Sequence, residues 1–252
     1  MPILEEIHRF PVKGFSADRI SEIELQAGKA LPFDRYWAIE NGPGQFDPAK
    51  PGHVSKRNFL MLAGQQNVAA VRTQFDQTAQ SWSVSFPGGD VFTLDLNDEA
   101  THQAVFANLE ALLGDEVRGR LRLVRAPGQA MTDIAEPYPS IINLASVRDL
   151  GKRVGAKLDP VRFRGNLLID GLEAWQELDL VGKRLIFGEV ELKIEARIQR
   201  CVATSINPDN AAKDQDLPRA LFEAFGHMDC GVYAAVIKGG LLKAGESFEI
   251  AD

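Results

Sequence analysis

The sequence Val190-Glu-Leu-Lys-Ile-Glu-Ala-Arg-Ile-Gln199 alternates apolar and polar residues without a break. Side chains of a β-strand point alternately to the two faces of a sheet, so this pattern predicts a strand with one face in the core. Arg200 and Cys201 follow directly, and the pair Asn207-Pro208 then signals a turn. A cysteine beside an arginine at the end of a half-buried strand is the first candidate for chemistry.

The rest of the chain reads as short strands separated by glycine-rich turns. A hairpin is predicted around residues 87–90 and another over residues 241–250, whereas helices are predicted at 99–113, 145–153 and 217–225. No strand is followed by a GxGxxG helix start, which argues against a Rossmann domain. The pattern predicts a mainly β (α+β) protein of antiparallel barrels or sandwiches with helical insertions. We place the join between its two halves near residue 118.

Composition and charge restrict the class of partner. The chain has 252 residues and a formal net charge of −7, which argues against a broad nucleic-acid or anionic-membrane footprint. The N-terminal residues lack the pattern of a signal peptide, and no apolar run approaches the roughly 18 residues of a membrane span. We therefore expect a soluble cytoplasmic protein that acts on a small molecule.

Metal-ligating residues are few and scattered. The two cysteines, Cys201 and Cys230, belong to no CxxC pair, and the four histidines make no HExxH spacing. If a metal is bound, something other than a protein cage must supply most of its ligands.

Cys201 has two interpretations. The guanidinium groups of Arg200 and Arg197 would favour its thiolate, the form that acts as a nucleophile or soft-metal ligand. The alternative is a buried cysteine that acts as a small hydrophobe, which is the commoner case. Cys230 precedes an apolar strand and is interpreted as structural.

The segment Arg162-Phe-Arg-Gly-Asn166 carries two guanidinium groups and an amide. In an extended chain Arg162, Arg164 and Asn166 would share one face, suited to a phosphate or polar heterocycle, with Phe163 in the core behind them. The alternative is a solvated edge strand. Residues 41–57, rich in glycine and proline, predict a long loop that would cover the substrate entrance as a lid.

Taken together, these motifs resemble the MOSC-domain family, in particular its two-part branch that includes the mitochondrial amidoxime-reducing component. The resemblance covers essentially the whole chain. It is carried by Phe10-Pro-Val-Lys-Gly14, Phe33-Asp-Arg-Tyr-Trp37, Arg162-Phe-Arg-Gly-Asn166, Arg200-Cys-Val-Ala-Thr204 with Asn207-Pro208, and Gly231-Val-Tyr-Ala234.

The resemblance implies an N-terminal MOSC β-barrel domain at residues 1–117 and an antiparallel β-barrel MOSC domain at residues 118–252. It also implies a molybdenum cofactor, whose pterin brings two dithiolene sulfurs, with Cys201 as the protein ligand to the metal. The pterin and its phosphate would then be held by Lys13, Arg35, Arg164, Asn166, Arg200 and Thr204. Gly14, Gln199 and Cys230 depart from the residues that are usual in the family.

By that resemblance the function is a molybdenum-dependent oxidoreductase that reduces N-hydroxylated or N-oxide substrates. The chain contains no cluster of cysteines for an iron–sulfur centre, so its electrons would come from a separate protein. One alternative is a sulfur carrier that delivers sulfur from a Cys201 persulfide to a metal–sulfur centre. Another is a non-catalytic carrier of the cofactor.

Overall fold

The computed structural model describes residues 1–42, 44, 46–47, 55–125, 130–132, 134–136 and 138–252. Within those residues the strands are β1 (Ile3–Arg9), β2 (Asp18–Ile20), β3 (Glu22–Leu25), β4 (Trp37–Asn41), β5 (Arg72–Asp76), β6 (Ser81–Ser85), β7 (Val91–Asp95), β8 (Leu121–Arg125), β9 (Ser140–Asn143), β10 (Leu167–Asp170), β11 (Arg184–Phe187), β12 (Val190–Gln199), β13 (Asp229–Lys238), β14 (Gly240–Lys243) and β15 (Glu249–Ala251). The α-helices are α1 (Gln103–Leu113), α2 (Leu144–Arg153) and α3 (Leu217–Phe225). The mainly β, α+β prediction is confirmed.

The main sheet contains eight strands in the order β15-β11-β12-β13-β9-β10-β1-β2. Neighbouring strands run antiparallel except β9 and β10, which run parallel. The chain passes from β9 to β10 through α2, and such a crossover is what a parallel pair requires.

Strand β12 lies in the middle of the core, as its alternation predicts. Val190, Leu192 and Ile194 are fully buried and pack in one cluster with Leu4 and Ile7 of β1. The two ends of the sequence therefore share one hydrophobic core.

A second core fills the N-terminal half. Strands β5, β6 and β7 form a three-stranded sheet that includes the predicted hairpin, and α1 packs against it. Phe15 meets Trp82 edge-to-face with ring centroids 4.8 Å apart, and both side chains are buried.

The two halves are joined by backbone pairing. Strand β1 pairs with β10, β3 with β14, and β4 with β8. The division at residue 117 stays a prediction.

The hairpin expected over residues 241–250 is wrong. Strand β14 pairs with β3, so that Leu242 faces Ile23 across the ladder, whereas β15 pairs with β11. Both residues of the Leu242–Ile23 pair are buried, so the pairing removes apolar surface from water. The partner strand lies more than 200 residues earlier in the sequence, and a local pattern does not reveal it.

No α-helix among the described residues is both long and apolar enough to cross a membrane. Of the predicted lid over residues 41–57, positions 43, 45 and 48–54 lie outside the described residues.

Candidate functional site

A cavity of about 170 Å³ brings together side chains from both halves of the chain. The sequence-predicted site residues that line it are Lys13, Arg35, Arg164, Asn166, Arg200, Cys201 and Thr204. All seven predicted residues therefore meet at one place, although they come from separate segments of the sequence. Their individual roles toward a ligand stay predictions.

Cys201 lies where β12 turns out of the sheet. A single 3-10 turn, Val202–Ser205, begins directly after it. The backbone N–H and the hydroxyl of Thr204 both donate to the carbonyl oxygen of Cys201, at 3.1 and 3.0 Å. Cys201 is exposed, so its thiol is available to a ligand. Thr204 is buried, and its hydroxyl fixes the turn that presents this thiol.

Arg200 is a buried cation beneath the cavity wall. Its Nε donates to the carbonyl of Cys230 at 2.6 Å and its Nη1 to the carbonyl of Phe163 at 2.8 Å. Burial lowers the pKa of the Arg200 guanidinium, an effect that nearby Cys230 and Tyr233 partly offset. Its Nη2 has no hydrogen-bond partner among the described residues, which leaves one donor uncommitted.

A β-bulge opposite Ile198 makes room for this guanidinium. The pairing of β12 with β13 shifts between Arg197 and Gln199, because two residues of β13, Cys230 and Gly231, lie opposite the single residue Ile198. Gly231 has a φ of +80°. A Cβ on Gly231 would lie 3.0 Å from Nη2 of Arg200 and 2.5 Å from the carbonyl oxygen of Ile141. Glycine at this position therefore lets the arginine lie against the sheet.

Arg35 and Arg164 adopt left-handed backbone conformations, with φ of 53° and 50°. Such conformations are uncommon for residues other than glycine, and they concentrate at functional sites. Nη2 of Arg35 donates to the carbonyl of Arg164 at 3.0 Å, and both guanidinium groups lie over the ring of Phe10, 4.8 and 4.1 Å from its centroid. The two cations are thus held together on one aromatic platform.

The prediction that residues 162–166 form an extended segment is wrong. Asp159 caps a 3-10 turn, Pro160–Phe163, through the N–H of Val161, and Arg164 ends it in the left-handed region. Arg162, Arg164 and Asn166 nevertheless all reach the cavity, and Phe163 is buried as expected.

Arg162 is held from outside the cavity. Its Nη2 donates to Asp214 at 2.8 Å, and this arginine holds the pKa of the Asp214 carboxyl below its usual range. The Nε and Nη1 groups of Arg162 are buried and have no hydrogen-bond partner in the described part of the chain.

Lys13 and Asn166 differ in what they can offer a ligand. The ammonium of Lys13 is nearly buried and donates to the carbonyl of Met131 at 3.0 Å. The amide of Asn166 accepts from the N–H and hydroxyl of Ser140 and donates to the carbonyl of His8. Asn166 is therefore first a tie between β9 and β1, and most of its hydrogen-bonding capacity is used within the protein.

Cys230 is the buried cysteine that the sequence suggested. It is fully buried, and burial raises the pKa of its thiol to about 12, with Arg200 opposing and Glu177 reinforcing the shift. A thiol of this kind stays protonated and unreactive near neutral pH.

Several lining residues were not predicted from the sequence. They are Lys56, Thr132, Tyr138, Ser140 and Tyr233. Tyr233 lies in one of the motifs quoted above, and Lys56 lies in the segment 41–57 predicted to cover the entrance. The other three carry no local signal, because only the folded chain brings them to the cavity.

The lining is strongly cationic. Among the described residues, six cations and no carboxylate line the cavity. The cations are Lys13, Arg35, Lys56, Arg162, Arg164 and Arg200. The described residues contain no group of three or more side chains that could form a metal site by themselves. One exposed thiol surrounded by cations fits an anionic, acceptor-rich ligand that brings most of its own metal ligands.

Comparisons with known proteins find similarity in two regions of the chain. The sequence model of the MOSC N-terminal beta barrel domain matches residues 1–118, and that of the MOSC domain matches residues 136–249. Mitochondrial amidoxime reducing component 2 of Rattus norvegicus is 24% identical over 94% of this chain and 80% of its own length. Molybdenum cofactor sulfurase of Drosophila grimshawi is 27% identical over 92% of this chain, which spans only 32% of that protein.

Among solved structures, the YuaD protein from Bacillus subtilis aligns with 99% of this chain and 96% of its own, with a TM-score of 0.47 and 12% identity.

The cavity draws residues from both matched sequence regions: Lys13 and Arg35 come from the first, and Arg164, Arg200 and Cys201 from the second.

Proposed function

Since this chain belongs to the family of MOSC-domain proteins, we propose that it binds a molybdenum–pterin cofactor and reduces N-hydroxylated or N-oxide compounds. Similarity to an amidoxime reducing component over most of both chains supports this class of reaction. Electrons would come from a separate redox protein, and the cytoplasmic location expected from the sequence is part of the same proposal.

The observation that carries the proposal is the position of Cys201. Its exposed thiol opens into a cavity lined by six cations, in a protein whose net charge is −7. A lining with six cations and no carboxylate among the described residues favours an anionic occupant, because guanidinium and ammonium groups form charge-assisted hydrogen bonds with anions.

The residues present fit the cofactor. Cys201 would provide the one protein sulfur to the metal, and thiolate is the soft ligand that suits such a centre. Lys13, Arg35 and Arg164 would hold the phosphate and pterin through charge-assisted hydrogen bonds, with the uncommitted Nη2 of Arg200 beneath. When bound, the cofactor supplies two-electron transfer of an oxygen atom; the protein supplies binding, orientation and charge.

Two predicted residues would act indirectly. Thr204 fixes the carbonyl of Cys201 and so sets the direction of the thiol. Asn166 joins β1 to β9 behind the cavity, so that the wall bearing Arg164 keeps its position.

Sulfur transfer is a second candidate, because an exposed cysteine thiol is what a persulfide carrier requires. Similarity to a molybdenum cofactor sulfurase over most of this chain favours it as well. In that case Cys201 would carry labile sulfur instead of metal.

The test is reduction of benzamidoxime by the purified protein with chemically reduced viologen as the electron donor. We expect product formation by the wild type and by Cys230→Ala, and none by Cys201→Ser. If the wild type reduces nothing but releases sulfur to cyanide as thiocyanate, sulfur transfer takes first place. Equal activity in Cys201→Ser would contradict both candidates.

A further inference from the structure

A second cavity of about 210 Å³ lies beside the first. The two cavities share wall residues from several parts of the chain, which are Gly14, Leu62, Arg162, Arg164 and Ala203. A ligand in the first cavity therefore has the second as its immediate neighbour.

The walls of the second cavity are chiefly apolar. Phe15, Val71 and Ile206 are buried and contribute to it, together with Val161 and Ala17. Phe15 is held edge-to-face against Trp82, so this wall is rigid. Ligand sites of this type, apolar with a few polar groups, bind the hydrophobic body of a small molecule.

Most of the charged residues in these walls are tied to the protein; the exception is Arg162, whose Nε and Nη1 have no hydrogen-bond partner among the described residues. Arg72 donates to the carbonyl oxygens of Pro208 and Asp209, and Asp159 accepts from the N–H of Val161. Nη1 of Arg164 donates to the carbonyl of Phe15 at 2.8 Å. The second cavity therefore combines apolar walls with nearly balanced charge, three arginines and two aspartates, whereas the described lining of the first carries six cations and no carboxylate.

We propose that the second cavity is the subsite for the aryl or short alkyl body of the substrate, whose N–O group faces Cys201 in the first cavity. This inference rests on the proposed function and specifies its substrate class. A cavity of about 150 Å³ lined by aliphatic and aromatic side chains is large enough to bind benzene. The second cavity thus has room for a phenyl ring, whereas the anionic phosphate and the polar pterin of the cofactor match the cations of the first.

The test compares benzamidoxime with acetamidoxime, which carry the same reducible group on a phenyl or a methyl body. The dissociation constants are measured by calorimetry on the full-length protein without a reductant, and kcat/KM is measured separately with reduced viologen. We expect the wild type to bind benzamidoxime at least about tenfold more tightly, as burial of a phenyl ring predicts.

Ala17→Phe should place a ring in the second cavity and weaken benzamidoxime binding far more than acetamidoxime binding, so that the preference is lost. Ala69→Phe, at another half-buried wall position, should do the same and replaces the first variant if that fails to fold. Ala111→Phe, on the exposed face of α1, is the matched control and should retain the preference.

Two outcomes separate the subsite from the proposed function. If the wild type reduces both probes but binds them equally, or if both cavity variants keep the preference, the subsite is overturned and the function stands. If the wild type neither binds nor reduces either probe, the proposed function fails, and the subsite fails with it.

Discussion

Replacement of Gly231 by alanine tests how the sheet accommodates the site arginine. Gly231 occupies the bulge in β13 with φ of +80°, and a Cβ there would lie 2.5 Å from the carbonyl oxygen of Ile141 and 2.6 Å from Cδ1 of Ile142. It would also lie 3.0 Å from Nη2 of Arg200. Neither the backbone oxygen nor the buried guanidinium can move freely.

Two terms make up the expected loss. The left-handed conformation costs an alanine about 1–2 kcal/mol relative to glycine. Overlap with a packed backbone adds about 1–3 kcal/mol, as overpacked cores do. We therefore expect Gly231→Ala to lower the free energy of unfolding by about 2–5 kcal/mol.

Gly226→Ala is the matched control. Gly226 ends α3 with φ of +73°, and a Cβ added to it would meet no atom of the described residues within 4 Å. This variant therefore isolates the conformational term of about 1–2 kcal/mol. The measurement is urea denaturation, read as a shift of the midpoint at constant m-value. If the two variants lose the same stability, the close packing of Gly231 against Ile141 and Arg200 is refuted.

Buried polar groups give three further predictions. Asn166→Ala removes three side-chain hydrogen bonds and should lower the free energy of unfolding by about 2–4 kcal/mol. Asn108→Ala, at a half-buried position with one solvent-exposed bond, should change it little, and equal effects in thermal melts would contradict the tie between β1 and β9. Burial raises the pKa of the Glu177 carboxyl in the folded protein. The stability of the wild type relative to Glu177→Gln should therefore fall as pH rises from about 4.5 through that raised pKa, and a stability difference independent of pH would contradict the raised pKa. Because the pKa of Cys230 is raised to about 12, mass spectrometry of protein prepared in a host that lacks the cofactor should find one alkylated thiol, Cys201, in the native state at about pH 8 and two only in denaturant.

Local patterns are sufficient for the regular elements. The strand predicted over Val190–Gln199 is confirmed as β12, although its alternation is interrupted at Ala196, which is exposed where the register with β13 shifts. The helix predicted at residues 217–225 is confirmed as α3, which ends at Gly226 in a left-handed conformation. Both patterns depend on residues that are neighbours in the sequence, which is why they can be interpreted without the fold.

The partners of an element cannot be predicted in the same way. The extended interpretation of residues 162–166 is wrong because Asp159 and Pro160 start a 3-10 turn, a local capping signal that outweighs the alternating pattern. The hairpin predicted at residues 241–250 is wrong for another reason, since β14 and β15 pair with strands that lie far away in the sequence.

For the site, residue types indicate which side chains meet, but not what each one does. Cys201 and Arg200 are predicted together from their adjacency, and the cavity contains both. The ties that Asn166 makes to Ser140 and His8 depend on two distant strands, so the sequence could not show that this amide is largely used within the protein.

The molybdenum and pterin content of freshly purified protein, from a host that makes the cofactor, tests the central claim most directly. Plasma mass spectrometry and pterin fluorescence should find close to one molybdenum and one pterin per chain in the wild type and in Cys230→Ala. Cys201→Ala should lose the molybdenum while its thermal melt stays close to that of the wild type, because this side chain is exposed. Wild-type protein without molybdenum, or a Cys201→Ala variant that retains it in full, would contradict the assignment.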